Sequence, residues 1–162
     1  LSSSPGSGTV FRIYFPRIDE APAENGNTCP DGQERKTGTE TIMVVEDNEQ
    51  VRNLACRILK SHGYATITAR DGGEGLDILT GSGIHVDLLL SDVIMPDING
   101  RDLYERARRK WPDLKVVYMS GYTEDIIASQ GVLDNGVDLI RKPFTAQALT
   151  EKVREVLDRG LC

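Results

Sequence analysis

From Thr41 onward, short continuous runs of apolar residues alternate with segments of helical periodicity. The strongest runs cover residues 42–45, 88–90 and 116–119, and weaker strand candidates cover 65–69 and 139–140. A strand that is apolar along its whole length is buried on both faces, which is typical of a parallel sheet. The pattern therefore predicts an α/β fold, in which an open parallel sheet of five strands carries helices on both faces.

Helices are expected between these strands, because the apolar residues there recur at helical spacing. The predicted helices cover residues 51–59, 71–79, 103–111, 125–130 and 145–157. Asp71 followed by Glu74 has the spacing of a capping box at the start of the second helix. The third helix is expected to include Trp111 and to end at Pro112.

Charge and cysteine usage narrow the functional classes. The 162 residues include 25 acidic and 19 basic ones, a net charge of −6, whereas a nucleic-acid binder needs a basic surface. No apolar stretch approaches the roughly 18 residues of a membrane span, and no signal peptide is recognised. The cysteines (Cys29, Cys56 and Cys162) form no disulfide or metal-binding pattern. We therefore expect a cytoplasmic protein in which this fragment contacts neither nucleic acid nor membrane.

The first forty residues differ from the rest, with four of the seven prolines and many Gly, Ser, Asn and Asp residues. One apolar segment, 10–15, alternates well enough to form a strand, which Pro16 ends. A lone strand cannot bury its apolar face, so this one needs a partner to be ordered. Residues 19–40 have the composition of a flexible linker.

Five polar residues follow the predicted strands and should converge at one edge of the sheet. They are Glu46, Asp47, Asp92, Ser120 and Lys142. The carboxyl ends of parallel strands share that edge, where open α/β sheets bind their ligands. Three carboxylates close together repel one another unless a cation lies among them, and an all-oxygen ligand set favours Mg²⁺. A hydroxyl and an ammonium beside them would bind phosphoryl oxygens, with one carboxylate as nucleophile.

In these residues the segment 41–158 resembles the receiver domain of two-component response regulators. The matching motifs lie at residues 42–47, 87–96, 119–122 and 142–144, with the signature positions in order. The resemblance covers nearly three quarters of the chain. It implies the flavodoxin-like (βα)5 receiver fold, an open parallel five-stranded sheet of strand order 2-1-3-4-5, and a cis peptide bond between Lys142 and Pro143.

The resemblance also implies a magnesium site around a phosphoacceptor. Asp92 would accept the phosphoryl group and bind Mg²⁺. Asp47 would bind the ion directly and Glu46 through water, and the backbone carbonyl of Ile94 would be a third protein ligand.

Two further residues would contact the phosphoryl group. By resemblance, Ser120 would hydrogen-bond to it and move toward it as the switch. Lys142 would pair with the same phosphoryl oxygens.

The chain departs from the family pattern on the fifth strand and in the fourth helix, which is short and bounded by glycines. The family often has an aromatic residue three positions before the lysine, where this chain has Leu139, and the resemblance does not transfer that role to Tyr122. The positions two beyond the phosphoacceptor and two beyond the switch hydroxyl tune the access of attacking water in the family. They are Ile94 and Tyr122 here, and because both are bulky we expect slow self-dephosphorylation.

Residues 3–16 resemble the last strand of a histidine-kinase ATP-binding domain. The chain would then be the C-terminal fragment of a hybrid sensor histidine kinase, with a kinase remnant over 1–18, a flexible linker over 19–40 and a receiver domain over 41–160. The partner would be a histidine kinase or histidine phosphotransfer domain, in the same protein or another, and the fragment a monomer or weak dimer. The fragment would catalyse only its own phosphorylation and dephosphorylation, whereas the parent would be a transferase that can be membrane-anchored.

Three functional classes are considered. In the first, a phosphoryl group passes from phosphohistidine to Asp92 with Mg²⁺ and switches a protein-interaction surface. Phosphatases of the haloacid dehalogenase type also form an aspartyl phosphate on a parallel sheet, but they need a second acid two residues after the nucleophile, where this chain has Ile94. The third class is a degenerate receiver, an interaction module that is never phosphorylated, which the complete set of acidic residues disfavours.

Overall fold

The computed structural model of the chain describes residues 2–4, 6, 8–10, 12–14, 38–81, 83–121 and 137–159. The chain divides into two compact units, residues 1–34 and 35–162. The smaller unit contains a two-stranded sheet and the larger unit a five-stranded sheet. Tyr122 and the helix expected over 125–130 lie outside the described residues.

In the smaller unit, β1 (Ser2–Ser4) and β2 (Gly8–Val10) pair as an antiparallel hairpin. The turn between them uses a positive φ of 78° at Gly6, which a glycine adopts without strain. The strand expected over 10–15 was wrong in its position, because only Val10 belongs to β2 and residues 12–14 have no regular structure. The backbone pairs with the serine run across a glycine turn, and apolar alternation does not reveal such a partner.

The larger unit is built on five parallel strands, all at the positions that the sequence predicts. They are β3 (Thr41–Val45), β4 (Ala65–Ala69), β5 (Leu88–Asp92), β6 (Lys115–Ser120) and β7 (Leu139–Arg141). Their order is β4-β3-β5-β6-β7, which is 2-1-3-4-5 when the strands are counted from Thr41, as expected. Val45 pairs with Ser91, and Asp92 pairs with Met119. The carboxyl ends of β3, β5 and β6 are therefore neighbours.

Helices cover both faces of this sheet and create two hydrophobic cores. They are α1 (Glu49–Ser61), α2 (Gly72–Gly81), α3 (Gly100–Ala107) and α4 (Ala146–Asp158). Ile42 and Val44 face the core beneath α1 and α4, whereas Met43 and Val45 face the one beneath α2 and α3. Successive strand residues point to opposite faces, so burial on both sides explains why residues 42–45 of β3 are all apolar.

Each helix start is stabilised by a side chain that accepts backbone N–H bonds. Asn48, Asn99 and Thr145 are the N-caps of α1, α3 and α4. At α2, Asp71 Oδ1 accepts the N–H of Glu74 at 2.8 Å, as in the predicted capping box. The Glu74 carboxylate returns to the N–H of Arg70, so only half of the box forms. None of the described helices combines the length and apolar character needed to cross a membrane.

The third helix is shorter than the sequence suggests. It ends at Ala107, and residues 108–110 form a turn. Trp111 packs beside the second core, and its indole N–H donates to the Leu79 carbonyl oxygen at 2.7 Å. The helical spacing between Ala107 and Trp111 therefore reflects a packed turn, and periodicity alone does not distinguish such a turn from a continuing helix.

Packing on the larger unit begins before β3, inside the expected linker. The N–H of Gly38 donates to the His62 carbonyl oxygen at 3.0 Å, and a Cβ at Gly38 would overlap the Tyr64 ring. Glu40 forms an ion pair of 2.8 Å with Arg154 of α4, which holds the pKa of Glu40 below its ordinary value despite partial burial. Residues 38–40 are therefore a packed edge of this unit.

One close approach holds α3 against the end of β5. A Cβ on Gly100 would lie 2.2 Å from the backbone oxygen of Asp92 and 2.8 Å from Ser91 Oγ. The N–H of Gly100 donates to the Val93 carbonyl oxygen at 3.1 Å. Only a residue without a side chain permits this contact, so Gly100 determines how closely the helix approaches Asp92.

We predict that Gly100→Ala lowers the free energy of unfolding by about 1–3 kcal/mol, because the added methyl group meets backbone that must shift. Urea denaturation followed by circular dichroism measures this. The matched control is Gly81→Ala at the end of α2, where a Cβ would meet nothing within 4 Å. That variant should be neutral or stabilised by up to about 1 kcal/mol, and equal losses in the two variants would contradict the prediction.

Candidate functional site

Three carboxylates meet at the carboxyl edge of the sheet. Glu46 and Asp47 follow β3, and Asp92 ends β5, the strand that pairs with β3. One oxygen from each of the three lies within 4.8 Å of the others, a grouping that can hold a metal ion. The structure therefore brings together residues 45 positions apart in the chain, because parallel strands in register end at the same level.

Lys142 provides the positive charge at this cluster. Its Nζ lies 2.5 Å from Glu46 Oε2 and 2.9 Å from Asp92 Oδ2. The residue follows β7, where its backbone N–H donates to the Ser120 carbonyl oxygen at 2.7 Å. The Lys142–Pro143 peptide bond is cis, as expected. One ammonium thus bridges the carboxylate that follows β3 and the carboxylate that ends β5.

Glu46 is the most enclosed member of the cluster, with 1% of its surface exposed. Burial raises the pKa of its carboxyl above the ordinary value, the hydrogen bond from Lys142 opposes this shift, and the charge of Asp92 adds to it. One ammonium does not balance three carboxylates, so a cation beside Glu46 would favour its charged form.

The loop between β3 and α1 presents the first two carboxylates. The N–H of Asn48 donates to Asp47 Oδ1 at 2.9 Å and, at 3.4 Å, to Glu46 Oε1. The Asn48 side chain in turn accepts the N–H groups of Gln50 and Val51 and starts the helix. A helix N-terminus carries partial positive charge, which suits the acidic residues placed immediately before it.

The loop after β5 contains Ile94. Its N–H donates to Asp92 Oδ1 at 3.4 Å, while its side chain is 46% exposed. The preceding residue, Val93, is buried, and its N–H donates to the Met119 carbonyl oxygen at 3.0 Å. Val93 therefore anchors the loop, and the Ile94 side chain projects at the surface one residue further on.

Ser120 ends β6, beside β5 and β7. It is 1% exposed and lies one position beyond Met119, the register partner of Asp92. The Leu139 side chain packs with the cluster of Val93 and Tyr118. An aliphatic side chain thus occupies the strand position, three residues before the lysine, at which the family often has an aromatic residue.

Two residues that position the site escaped the sequence analysis. Gly100 brings α3 against Asp92, and Arg52 donates from Nη1 to the backbone oxygen of Glu46 at 2.6 Å. For Arg52 the sequence did contain a usable signal. Asn48 stands before the helical pattern as an N-cap, and the first turn of a helix lies close to the residues that precede its N-cap. Gly100 carried no comparable signal, because a glycine in the sequence does not by itself reveal that another backbone segment approaches it closely.

The chain is similar to known proteins over most of its length. The family described as response regulator receiver domain matches residues 42–154. A protein named sensor kinase CckA from Brucella abortus (strain 2308) is 34% identical over an alignment of 163 positions, which covers 97% of this chain and 17% of that protein. The response regulator SaeR of Staphylococcus aureus is 22% identical over 118 residues, 73% of this chain and 50% of that one. The chain thus spans between a sixth and a half of these relatives.

Solved structures are similar over the same region. The receiver domain of the hybrid histidine kinase CckA is 36% identical with a TM-score of 0.61, and the match covers 73% of this chain and 99% of that chain. A CheY-like receiver domain protein from Methanospirillum hungatei JF-1 is 30% identical with a TM-score of 0.62, over 74% of this chain and 94% of that chain.

We predict that Asp47→Asn raises the free energy of unfolding by about 1 kcal/mol in a chelator, because it removes one of three mutually repelling charges. Asparagine keeps the oxygen that accepts the Asn48 N–H. Added divalent cation should stabilise the wild type and have little effect on the variant.

Thermal and urea unfolding, with and without the cation, measure these effects. Asp77→Asn, an exposed change on α2, is the control and should behave like the wild type in both buffers. Destabilisation of Asp47→Asn in the chelator would show that the carboxylates do not repel one another.

Proposed function

The chain belongs to the response regulator receiver family and is a receiver domain of a two-component system, and on this premise we propose that Asp92 is its phosphoacceptor. The position of Asp92 carries the proposal. Its Oδ2 lies 2.9 Å from the Lys142 ammonium, and its carboxylate is grouped with those of Glu46 and Asp47. The side chain is 13% exposed, so an incoming phosphoryl group can reach it.

The donor set fits Mg²⁺, a hard ion that prefers oxygen ligands. Asp47 and Asp92 would supply carboxylate oxygens directly, Glu46 would act through water, and the backbone carbonyl of Ile94 would be the further protein ligand. The raised pKa of Glu46 supports this, because a nearby cation stabilises the charged form of a carboxylate that is buried beside another negative charge. When bound, Mg²⁺ neutralises charge on the phosphoryl oxygens.

A carboxylate oxygen of Asp92 attacks the phosphorus of a phosphohistidine in line with the bond to the imidazole nitrogen. A P–O bond forms as the P–N bond breaks, the imidazole nitrogen leaves with the bonding electron pair, and that nitrogen takes up a proton from solvent. Catalysis of this kind depends mainly on positioning and electrostatics. The residues of this site supply both the positioning and the electrostatic stabilisation, because the Lys142 ammonium lies within hydrogen-bonding distance of Asp92.

Lys142 and Ser120 hold the phosphoryl group once it is on Asp92. Lys142 exchanges its contact with Asp92 Oδ2 for a phosphoryl oxygen, a charge-assisted bond. The Ser120 hydroxyl donates to another phosphoryl oxygen from the end of β6. The backbone oxygen of Ser120 accepts the N–H of Lys142. Movement of Ser120 at the end of β6 therefore shifts the end of β7, and this shift changes the protein-interaction surface.

The phosphoryl donor is a histidine kinase or a histidine phosphotransfer domain in the cytoplasm, and the parent protein is a hybrid sensor histidine kinase. The similarity to the sensor kinase supports this, because it covers 97% of the chain and so extends beyond residues 42–154. Residues 1–18 are then the end of the kinase ATP-binding domain, and residues 19–40 the linker, whose last three residues pack on the receiver unit. The receiver unit acts as a monomer or weak dimer.

Incubation with Mg²⁺ and acetyl phosphate should add one phosphoryl group to the wild type and none to Asp92→Asn, since the amide is not a nucleophile. Intact-mass spectrometry measures the gain. The matched control is Asp97→Asn in the same loop, whose left-handed φ of 64° suits asparagine, and it should be phosphorylated like the wild type. A gain in Asp92→Asn, or none in any of the proteins with a cognate phosphohistidine donor, would refute the assignment.

Ile94→Asn should shorten the lifetime of the phosphorylated protein by about tenfold, because the amide can orient an attacking water where the isoleucine excludes it. Loss of the phosphoryl mass with time gives the rate. Ile84→Asn is the control, since Ile84 is similarly exposed, at 47%, but precedes the opposite end of β5. A wild-type lifetime of seconds, unchanged in Ile94→Asn, would contradict the prediction.

A further inference from the structure

We propose that Arg52 is a positioning residue for the metal site, which holds the backbone of Glu46 and Asp47 so that both carboxylates face the ion. The proposal rests on the proposed function, since it concerns the same site. Arg52 is not a ligand itself. It acts from α1 through two backbone carbonyl groups.

The contacts of Arg52 carry the proposal. Its Nη1 donates to the backbone oxygen of Glu46 at 2.6 Å and, less closely, to that of Asp47 at 3.4 Å. Its own backbone N–H donates to the Asn48 carbonyl oxygen at 2.9 Å. The residue that caps α1 thus holds the main chain of Arg52, while the side chain reaches back to the two residues before that cap.

Anchoring these carbonyl oxygens orients the acidic side chains. A peptide group is planar, so fixing the direction of its oxygen also fixes the Cα atoms on either side. Glu46 is held by burial as well, but Asp47 is exposed, and packing contributes little to its position. Ligand groups of a metal site depend on such supporting bonds for their orientation, and losing one typically weakens metal binding by about 10–100-fold.

The charge of Arg52 has the opposite effect on metal affinity. A guanidinium next to the site repels a divalent cation, so removing it would strengthen binding if the charge alone mattered. Loss of positioning would weaken binding. The sign of the change therefore separates the positioning role from a general electrostatic one.

The test is titration of ¹⁵N-labelled protein with MgCl₂, in which the backbone amide shifts of residues 46–48 and 92–94 give the Kd without any phosphoryl donor. We expect Arg52→Gln to raise the Kd about tenfold. The control is Arg57→Gln, which removes the same charge from an exposed position on the same helix, and its Kd should match the wild type or fall slightly.

If Arg52→Gln does not fold, Arg52→Lys replaces it, because lysine keeps the charge but is one bond shorter and cannot reach both carbonyl groups. It should raise the Kd about threefold or more. A Kd equal to or below the wild-type value in the folded variant would overturn the inference and leave the proposed function standing. If the wild type itself shows no saturable Mg²⁺ binding, the proposed function fails and this inference with it.

Discussion

The ammonium of Lys142, set between Glu46 and Asp92, is the interaction on which the site depends. It lies 2.5 and 2.9 Å from the two carboxylates and so ties the end of β7 to the ends of β3 and β5. Charges this enclosed are stabilised only when their partners are well placed. Even with the Arg52 guanidinium next to the site, three carboxylates leave an excess of negative charge, and this excess would favour a divalent cation at the edge.

The strands can deliver these charges to one point because the sheet beneath them is rigid. Apolar side chains on alternate faces are buried under α1 and α4 on one side and under α2 and α3 on the other. Such interiors are closely packed and resist displacement. Gly100 extends this rigidity to the site, because it lets α3 lie directly against the backbone of Asp92. The functional loops are therefore short extensions of a stiff scaffold.

Each loop at the carboxyl edge positions a different part of the site. Asn48 and Arg52 orient the loop that bears Glu46 and Asp47, while Val93 anchors the loop that bears Ile94. Ser120 and Lys142 are joined by a backbone hydrogen bond at the remaining edge. Each acidic or basic group is thus held by a neighbour whose own position depends on a helix start or a strand pairing.

Sequence reasoning was strongest where the pattern is local and repeated. The five strands of the larger sheet were all predicted. The strong apolar runs belong to β3, β5 and β6, which are mostly buried, whereas the edge strands β4 and β7 are partly exposed and gave weaker patterns. The polar residues that end them could also be named, since they interrupt those runs. It failed for the amino-terminal strand and for the length of α3, where backbone pairing across a turn and the packing of Trp111 decide the outcome.

The sequence by itself determined which residues form the sheet, which acids and which lysine lie at its carboxyl edge, and the family to which they belong. Only the tertiary structure decided that Lys142 bridges Glu46 and Asp92, that Gly100 sets the approach of α3, and that Arg52 reaches the backbone of the acidic loop. Periodicity reports burial along one segment. Distances between segments arise when strand register and helix packing bring together residues that are remote in the chain.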